Sequence, residues 1–402
     1  MNSADVAERG SPRALFRNQT MDFLASWLLG YAQQGGLSPG TLLDAFARIR
    51  DGDPGSWCAT FGRVAEATGR RATEAEAAGR SDEASRGWLG VAVAQRARLS
   101  LLDPRTAEAR EATAALTSSF ASFLRLGGIP LEAGVIPLGA GLLPAYWSLE
   151  LASAERLVIV LGGGDTHVQD LWFFGGRALT RAGWPVLLVD LPGQGATPDQ
   201  GLHFGPATLE GLVRTMDFVR ERGFGGEIVL LGWSSGGLFV TKYASIARPS
   251  DRLRAVVASA PIHDMERLFR RMLPRVMRSD PDRLATRAVL ALARRNRVLR
   301  VALAGYQWQF GPGGIAGALS AFADLGRTDL AAIDVPVLAL VGSAEDEESR
   351  RQAEEVVAAL RERHPASTLV GFDKESGASA HCQVGNLPLA LDRIIAWLDG
   401  LF

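Results

Sequence analysis

The chain of 402 residues has only two cysteines, Cys58 and Cys382, and no long apolar run. Two cysteines cannot form a disulfide framework, and no residues flank them at metal-ligand spacing, so we expect a reducing compartment and neither a metal nor an organic cofactor. The absence of about 18 consecutive apolar residues argues against a membrane-spanning helix. The first twenty residues are interspersed with charges and lack the apolar run of a signal peptide. We therefore expect a cytoplasmic protein.

The sequence also lacks an excess of either charge, because its formal net charge is −1. This balance gives no general attraction to nucleic acids or to anionic membranes, so the partner that we expect is a small-molecule substrate. A composition of 47% hydrophobic and 22% charged residues is typical of a globular protein with a large core. The length allows two or three domains.

The N-terminal third has a helical pattern. Apolar residues between Leu15 and Tyr31 recur at near-helical spacing, and Ser38-Pro39 resembles an N-cap followed by proline at the first helical position. The stretch from Trp57 to Arg98 alternates alanine, arginine and glutamate as a helical hairpin would. We predict that residues 1–129 form a helical lid region, which could also mediate formation of a homodimer.

From about residue 130 short apolar runs alternate with helical stretches, which indicates an α/β fold with a mostly parallel sheet and helices on both faces. We predict core segments at 130–261 and 331–402, interrupted by a helical cap insertion at 262–330. The predicted strands lie at Val135–Leu138, Leu143–Leu151, Leu157–Leu161, Val186–Val189, Ile228–Leu231, Ala255–Ser259, Val337–Val341 and Thr368–Phe372.

A Gly-x-Ser-x-Gly motif, Gly232 to Gly236, stands between an apolar strand and a helix. In a nucleophile elbow of this pattern the serine occupies a tight strand-to-helix turn, and residues two positions away must be very small to avoid the neighbouring strand and helix. The motif also occurs by chance as a plain turn, but its position after a strand favours chemistry. We predict that Ser234 is a nucleophile.

A glycine loop, Gly162-Gly163-Gly164-Asp165, follows an earlier strand. Acyl transfer requires hydrogen-bond donors aimed at a developing oxyanion. We predict that the amides of Ser235 and Gly164 are these donors. The loop is not a dinucleotide fingerprint, because Thr166 and His167 stand where a third glycine would be required.

Of five histidines, His381 is the best candidate for a general base. It follows the last predicted strand through a loop of small residues, and a Ser-acid-His triad on such a sheet places its histidine there. The acid is ambiguous, because four acidic residues follow Gly342 within seven positions. Spacing favours Glu345 and residue type favours Asp346, while Asp264, after the strand next to the elbow, is a rival.

Further residues are candidates for a substrate pocket. His167, His263 and Asp264 lie on loops at the expected edge of the sheet, Gly163, Asp165 and Trp233 flank the oxyanion loop and nucleophile, and Tyr306 and Trp308 could line an aromatic pocket or pack the cap. Eleven arginines between His263 and Arg300 could favour an anionic substrate or form a solvated helical face: Arg267, Arg270, Arg271, Arg275, Arg278, Arg283, Arg287, Arg294, Arg295, Arg297 and Arg300.

Together these segments resemble the α/β-hydrolase superfamily, and within it the serine hydrolases with an N-terminal helical lid. That group is related to the fermentation/respiration switch protein, to 2,6-dihydroxypseudooxynicotine hydrolase and to fungal polyketide-shortening hydrolases. The resembling motifs are Gly162–Thr166, Asp190-Leu191-Pro192-Gly193-Gln194-Gly195, Gly232–Gly237, Pro261–Asp264 and Gly377-Ala378-Ser379-Ala380-His381-Cys382-Gln383. The resemblance implies an α/β-hydrolase fold and serine-dependent hydrolysis, in some members of a carbon–carbon bond next to a ketone.

The sequence therefore predicts a serine hydrolase that cleaves an ester, thioester or related acyl bond of a small hydrophobic or aromatic, polyketide-like molecule. Three alternatives stay open at this point. The first is hydrolysis of a C–C bond in a β-diketone or aryl ketone, with assistance from Asp264 or His263. The second is a cyclase or acyltransferase that excludes water, and the third is a ligand binder without catalysis.

Overall fold

The computed structural model describes Gly10 and residues 14–273 and 291–402. These residues form two compact units. One unit is helical and comprises residues 14–131 and 291–308, and the other comprises Gly10, 132–273 and 309–402. Residues 291–296 precede the last helix of the helical unit. The residues directly before them lie outside the described part of the chain.

Five consecutive helices make up most of the helical unit: α1 Gln19–Ala32, α2 Pro39–Phe46, α3 Pro54–Ala77, α4 Ser81–Leu99 and α5 Ala107–Leu126. Side chains at their N-termini satisfy free backbone amides, as Ser38 does for Thr41 in α2 and Thr106 does for Ala109 in α5. The structure confirms the predicted N-cap at Ser38 and the predicted helical hairpin, which is α3 and α4.

The core of the helical unit is aromatic. The Trp57 ring stacks on Phe46 at 6.1 Å between centroids and contacts Phe61 at 5.0 Å and Phe16 at 5.9 Å. Its indole Nε1 donates to the Ala97 carbonyl of α4 at 2.7 Å, so the one polar atom of this buried ring has a partner. These contacts join α2, α3 and α4.

The second unit contains an eight-stranded sheet with the order β1-β2-β4-β3-β5-β6-β7-β8. Strand β2 pairs antiparallel with β4, and the pairs from β4 through β8 are parallel. The strands are β1 Leu131–Leu138, β2 Gly141–Ser148, β3 Arg156–Leu161, β4 Val186–Val189, β5 Glu227–Trp233, β6 Leu253–Ser259, β7 Val337–Gly342 and β8 Thr368–Phe372. Each strand overlaps a predicted one.

The central strands are buried along nearly their whole length and are rich in valine, leucine and isoleucine, as expected of a parallel sheet covered on both faces. Their carboxyl ends lie at one edge of the sheet, and the loops after β3, β5, β7 and β8 begin there. This topology brings together the glycine loop, Ser234, the acidic turn and His381, which are far apart in sequence.

Helices follow most strands: α6 Gly176–Arg181, α7 Pro206–Glu221, α8 Ser235–Ala244, α9 Met265–Met272, α10 Arg297–Gln309, α11 Gly314–Leu325, α12 Glu347–Leu360 and α13 Leu387–Asp399. The predicted cap insertion at 262–330 contains α9, α10 and α11, and α10 belongs to the helical unit up to Trp308. Among the described helices, none combines the length and apolar character needed to cross a bilayer.

Candidate active site

The turn between β5 and α8 has the geometry of a nucleophile elbow. Ser234 has φ 55° and ψ −123°, a conformation that non-glycine residues rarely adopt. A Cβ atom at Gly232 would lie 2.3 Å from the Gly236 carbonyl oxygen, and one at Gly236 would lie 2.6 Å from that of Gly162. The backbone is therefore too close at both positions for any side chain, which explains the two glycines of the motif. The turn places the Ser234 hydroxyl at the edge of the sheet.

His381 is placed against the serine. Its Nε2 lies 2.9 Å from Ser234 Oγ, within hydrogen-bond distance. The loop that carries the histidine is fixed to the turn after β7, because the Ala344 amide donates to the Ser379 carbonyl at 3.1 Å. The predicted nucleophile and base are therefore brought together by the ends of β5 and β8.

Of the candidate acids, Glu345 faces the imidazole. Its Oε2 lies 3.5 Å from His381 Nδ1, and its side chain is only 2% exposed. The other carboxylate oxygen accepts from the Gly342 amide at 3.4 Å, which orients the group in the turn after β7. Ser234, His381 and Glu345 thus form a chain of contacts in the order serine, histidine, acid.

The other two candidate acids cap helices instead. Asp346 is the N-cap of α12, and its carboxylate accepts from the Glu348 amide at 2.7 Å. Asp264 is the N-cap of α9 and accepts from the Arg267 amide at 2.9 Å. A carboxylate at a helix N-terminus stabilises the helix, and this role accounts for both residues without chemistry. The expectation that Asp346 orients the base does not agree with its placement, and the expected contact of Asp264 with substrate stays a prediction.

His263 has a structural setting as well. It is completely buried, with Nε2 2.6 Å from Glu355 Oε2 and Nδ1 3.3 Å from Arg327 Nε. Burial lowers the pKa of His263 and outweighs the opposing effect of Glu355. Both ring nitrogens are engaged, so the expected contact with substrate does not agree with the structure.

Trp233 is likewise held by contacts within the protein. It is 1% exposed, and its Nε1 donates to the Phe174 carbonyl at 2.7 Å. Its ring packs on the Phe174 ring with 5.1 Å between centroids. Packing against Phe174 accounts for the burial of Trp233, and its role in a substrate pocket stays a prediction.

The glycine loop after β3 borders the nucleophile. A Cβ atom at Gly163 would lie 2.7 Å from Ser234 Cβ and 3.1 Å from its Oγ, so Gly163 must lack a side chain. Among the described residues, none accepts a hydrogen bond from the backbone amide of Gly164 or of Ser235. These amides, which are the predicted oxyanion donors, stand on the loop after β3 and at the first turn of α8.

The remaining pocket candidates are Asp165 and His167 on the loop after β3, and Tyr306 and Trp308 on α10. Asp165 is exposed and His167 half-buried on the loop after β3, where His167 begins a short 3-10 helix. Tyr306 and Trp308 are half-buried on the part of α10 that belongs to the helical unit. Their contact with substrate stays a prediction.

The arginines of the cap region fall into two groups. Arg275, Arg278, Arg283 and Arg287 lie outside the described residues. On α9, Arg267 pairs with Glu348 at 2.6 Å and with Glu355 at 3.2 Å, and Arg271 pairs with Glu347 at 2.5 Å. On α9 these two arginines are thus paired with carboxylates of α12. An anionic substrate stays a prediction.

The environment of His381 shifts its protonation. Burial lowers the pKa of the imidazole, whereas the neighbouring Cys382 and Glu345 raise it, and the net effect raises the pKa of His381 above its ordinary 6.5. Glu345 is the carboxylate that favours the imidazolium. Within the described part of the chain, no three His, Cys, Asp or Glu side chains cluster in a way that could hold a metal ion.

Sequence reasoning missed three residues of this site: Thr166, Gln194 and Gln309. Each donates a side-chain hydrogen bond to a carbonyl of the glycine loop. The motif Asp-x-Pro-Gly-x-Gly was noticed, and its glutamine is the signal that could have pointed to Gln194.

Comparison with known proteins agrees with the fold. The family model for the α/β hydrolase fold matches residues 155–301. Hydrolase LUC6 of Fusarium sp is 25% identical over 96% of this chain and 98% of its own length. The 20-hydroxy-prefusarin hydrolase FUS2 of Gibberella moniliformis is 29% identical over 45% of each chain.

The solved structure of 2,6-dihydroxy-pseudo-oxynicotine hydrolase matches 93% of this chain and 95% of its own, with a TM-score of 0.67 and 17% identity. At this identity the match concerns the fold. The chain therefore has the α/β-hydrolase fold, its similarities indicate a relationship to the α/β-hydrolase superfamily, and the named relatives support a hydrolase.

Proposed function

We propose that the protein is a serine hydrolase that cleaves an ester, thioester or related acyl bond through Ser234, His381 and Glu345. The observation that carries the proposal is the 2.9 Å contact between His381 Nε2 and Ser234 Oγ on the strained turn. A serine hydroxyl is a weak nucleophile by itself, and an adjacent base is the usual means of its activation. Glu345 Oε2 lies 3.5 Å from Nδ1, where its negative charge stabilises the charged form of the imidazole.

In this mechanism His381 removes the Ser234 proton as the oxygen attacks the substrate carbonyl. The amides of Ser235 and Gly164 stabilise the oxyanion of the tetrahedral intermediate. His381 then gives its proton to the leaving group, and an acyl-serine forms. Water, deprotonated by His381, attacks the acyl-serine, and the acid product leaves as Ser234 regains its proton.

The substrate that we propose is small and hydrophobic or aromatic, of polyketide-like character. The Phe204 ring borders the glycine loop, since a side chain at Gly164 would meet its Cε2 at 3.5 Å. Phe204 stacks on Phe310 at 5.3 Å and on Phe239 at 6.0 Å between ring centroids. Such a wall favours apolar groups beside the reacting carbonyl.

Hydrolysis of a C–C bond next to a ketone is the second candidate. It requires protonation of a carbanion leaving group, and the raised pKa of His381 keeps a proton donor available beside the serine. His263 and Asp264 are engaged in the contacts described above, so His381 is the group that we propose for this protonation. The location in the cytoplasm and the homodimer through the N-terminal helices remain proposals from the sequence.

The test is turnover of a p-nitrophenyl ester and of a β-diketone of similar size by the wild type, Ser234→Ala and Ser235→Ala. The second variant is the matched control, because Ser235 Oγ is buried with no hydrogen-bond partner among the described residues and the variant keeps the backbone amide. We expect Ser234→Ala to lose about 1,000-fold or more of kcat, and Ser235→Ala to stay within a few-fold of the wild type.

Product masses from the same reactions separate the chemistries. An acid and an alcohol from the ester, with one water gained, support acyl hydrolysis, and an acid and a ketone from the diketone support C–C cleavage. A product without added water would favour the cyclase or acyltransferase. Undiminished turnover by Ser234→Ala would overturn the proposal.

A further inference from the structure

Three successive carbonyls of the glycine loop are each held by a side chain. The Gly162 carbonyl accepts from Gln194 Nε2 at 2.5 Å, and the Gly163 carbonyl accepts from Thr166 Oγ1 at 2.9 Å. The Gly164 carbonyl accepts from Gln309 Nε2. Glycine peptides rotate easily, so a run of three needs such bonds to keep one orientation.

The Thr166 hydroxyl is hydrogen-bonded to the Gly163–Gly164 peptide, whose N–H is a predicted oxyanion donor. The Gly163 carbonyl and the Gly164 N–H belong to one planar trans peptide, in which the two groups point in opposite directions. A donor that fixes the carbonyl therefore also fixes the direction of the N–H. Accepting a hydrogen bond at the oxygen also polarises the peptide and strengthens the N–H as a donor.

Thr166 is itself anchored by the loop after β4. Its carbonyl accepts from the Gly195 amide at 3.0 Å, and the Val168 amide donates to Asp190 Oδ2 at 2.9 Å. Thr166 is 5% exposed, so water has little access to replace its hydroxyl. The Asp190–Gly195 motif is thus hydrogen-bonded to the loop after β3 at Thr166 itself and at Val168.

We propose that Thr166 is a positioning residue of the oxyanion hole, acting through the Gly163–Gly164 peptide. This inference rests on the proposed function. It assigns to the Thr166 hydroxyl the task of aiming the Gly164 N–H at the oxyanion before substrate arrives, so that no reorientation of the loop is needed in the transition state.

The test replaces Thr166 with valine, which keeps the shape and removes the hydroxyl, and with serine, which keeps the hydroxyl. Loss of one oxyanion donor costs about 100- to 1,000-fold in kcat, and here the donor is misaligned rather than removed, so we expect a fall of roughly 10- to 100-fold. The KM for a p-nitrophenyl ester should stay within a few-fold, and Thr166→Ser should restore kcat.

Two further readouts separate positioning from general damage. The acid limb of the pH–rate profile should not move in Thr166→Val, because the contacts of His381 are untouched. Thr215→Val is the matched control, since Thr215 is equally buried and its hydroxyl donates to the Gly211 carbonyl at 2.8 Å within α7. It should keep the wild-type kcat. If Thr166→Val does not fold, Thr166→Ala takes its place.

A wild-type kcat in the folded hydroxyl-free variant would overturn the inference and leave the proposed function intact, provided that Ser234→Ala is inactive. An equal loss in Thr166→Ser would also overturn it, because the hydroxyl would then not be the cause. Turnover that survives in Ser234→Ala would remove the proposed function and this inference with it.

Discussion

Replacement of Glu345 with glutamine should lower the pKa of His381 and slow the reaction. The carboxylate lies 3.5 Å from His381 Nδ1 and favours the imidazolium, which raises the pKa of His381. Glutamine keeps the shape and can still accept from the Gly342 amide, but it carries no charge. Asp346→Asn is the matched control, because it neutralises the adjacent carboxylate and asparagine is an equally good helix N-cap.

The size of the shift follows from the distance. Two unit charges at 3.5 Å in a medium with an effective dielectric constant of about 20 attract by about 5 kcal/mol. At about 1.4 kcal/mol for each pKa unit this corresponds to at most about 3.5 units, and solvent at the partly exposed imidazole reduces the shift. We expect a shift of at least about one unit. Loss of the acid should also lower kcat by about 100-fold or more, since the imidazolium formed in the transition state loses its partner.

The assay is the pH dependence of kcat/KM for a p-nitrophenyl ester. The base must be neutral to act, so the rate should rise with pH through the pKa of His381, and the wild-type midpoint should lie above 6.5 because that pKa is raised. In Glu345→Gln the midpoint should move to lower pH, and in Asp346→Asn it should stay. A profile that moves with Asp346→Asn and not with Glu345→Gln would refute the assignment of the acid.

Two more predictions concern the frame of the site. Gly163→Ala should lower kcat/KM by about 100-fold or more, because its Cβ would lie 2.7 Å from Ser234 Cβ. The control, Gly40→Ala, should keep the wild-type kcat/KM, because its Cβ would meet nothing within 4 Å. Equal kcat/KM values for the two variants would contradict this reasoning. Gln352→Leu should lower the free energy of unfolding, measured in urea, by about 3 kcal/mol. Gln352 is completely buried and forms hydrogen bonds with backbone atoms of His263 and Asp264 and with the Glu348 side chain. A decrease below about 0.5 kcal/mol would show that these bonds contribute little.

The strands and the contact between Ser234 and His381 could be predicted because local patterns encode them. A buried parallel strand appears as a short apolar run, and the structure places strands over all the predicted ones. The elbow requires glycine two residues before and after Ser234, and His381 follows from its place after the last strand. Such features depend on neighbouring residues or on the order of elements, which a sequence states directly.

The acid could not be assigned from the sequence, because Glu345 and Asp346 are adjacent, and spacing favours the first while residue type favours the second. The turn after β7 directs Glu345 to His381, while the start of α12 takes Asp346 as its cap. His263 was expected in the pocket for a similar reason. Its loop ends at the right edge of the sheet, but its ring packs inward against Glu355, and only tertiary packing decides that direction.

The hydrogen bonds of the glycine loop could not be predicted from the sequence either. Gln194 and Gly162 are 32 positions apart, and their bond depends on how the loops after β3 and β4 meet. A motif in sequence marks such a loop as constrained but does not show which atom it holds.

The central claim is that Ser234 is an activated nucleophile, and reaction with a fluorophosphonate tests it most directly. Intact mass should show one adduct on the wild type, one on Ser235→Ala and none on folded Ser234→Ala. The label enters only at a serine whose proton a neighbouring base removes, as the 2.9 Å contact with His381 provides. No adduct on the folded wild type, or an undiminished adduct on Ser234→Ala, would contradict the account.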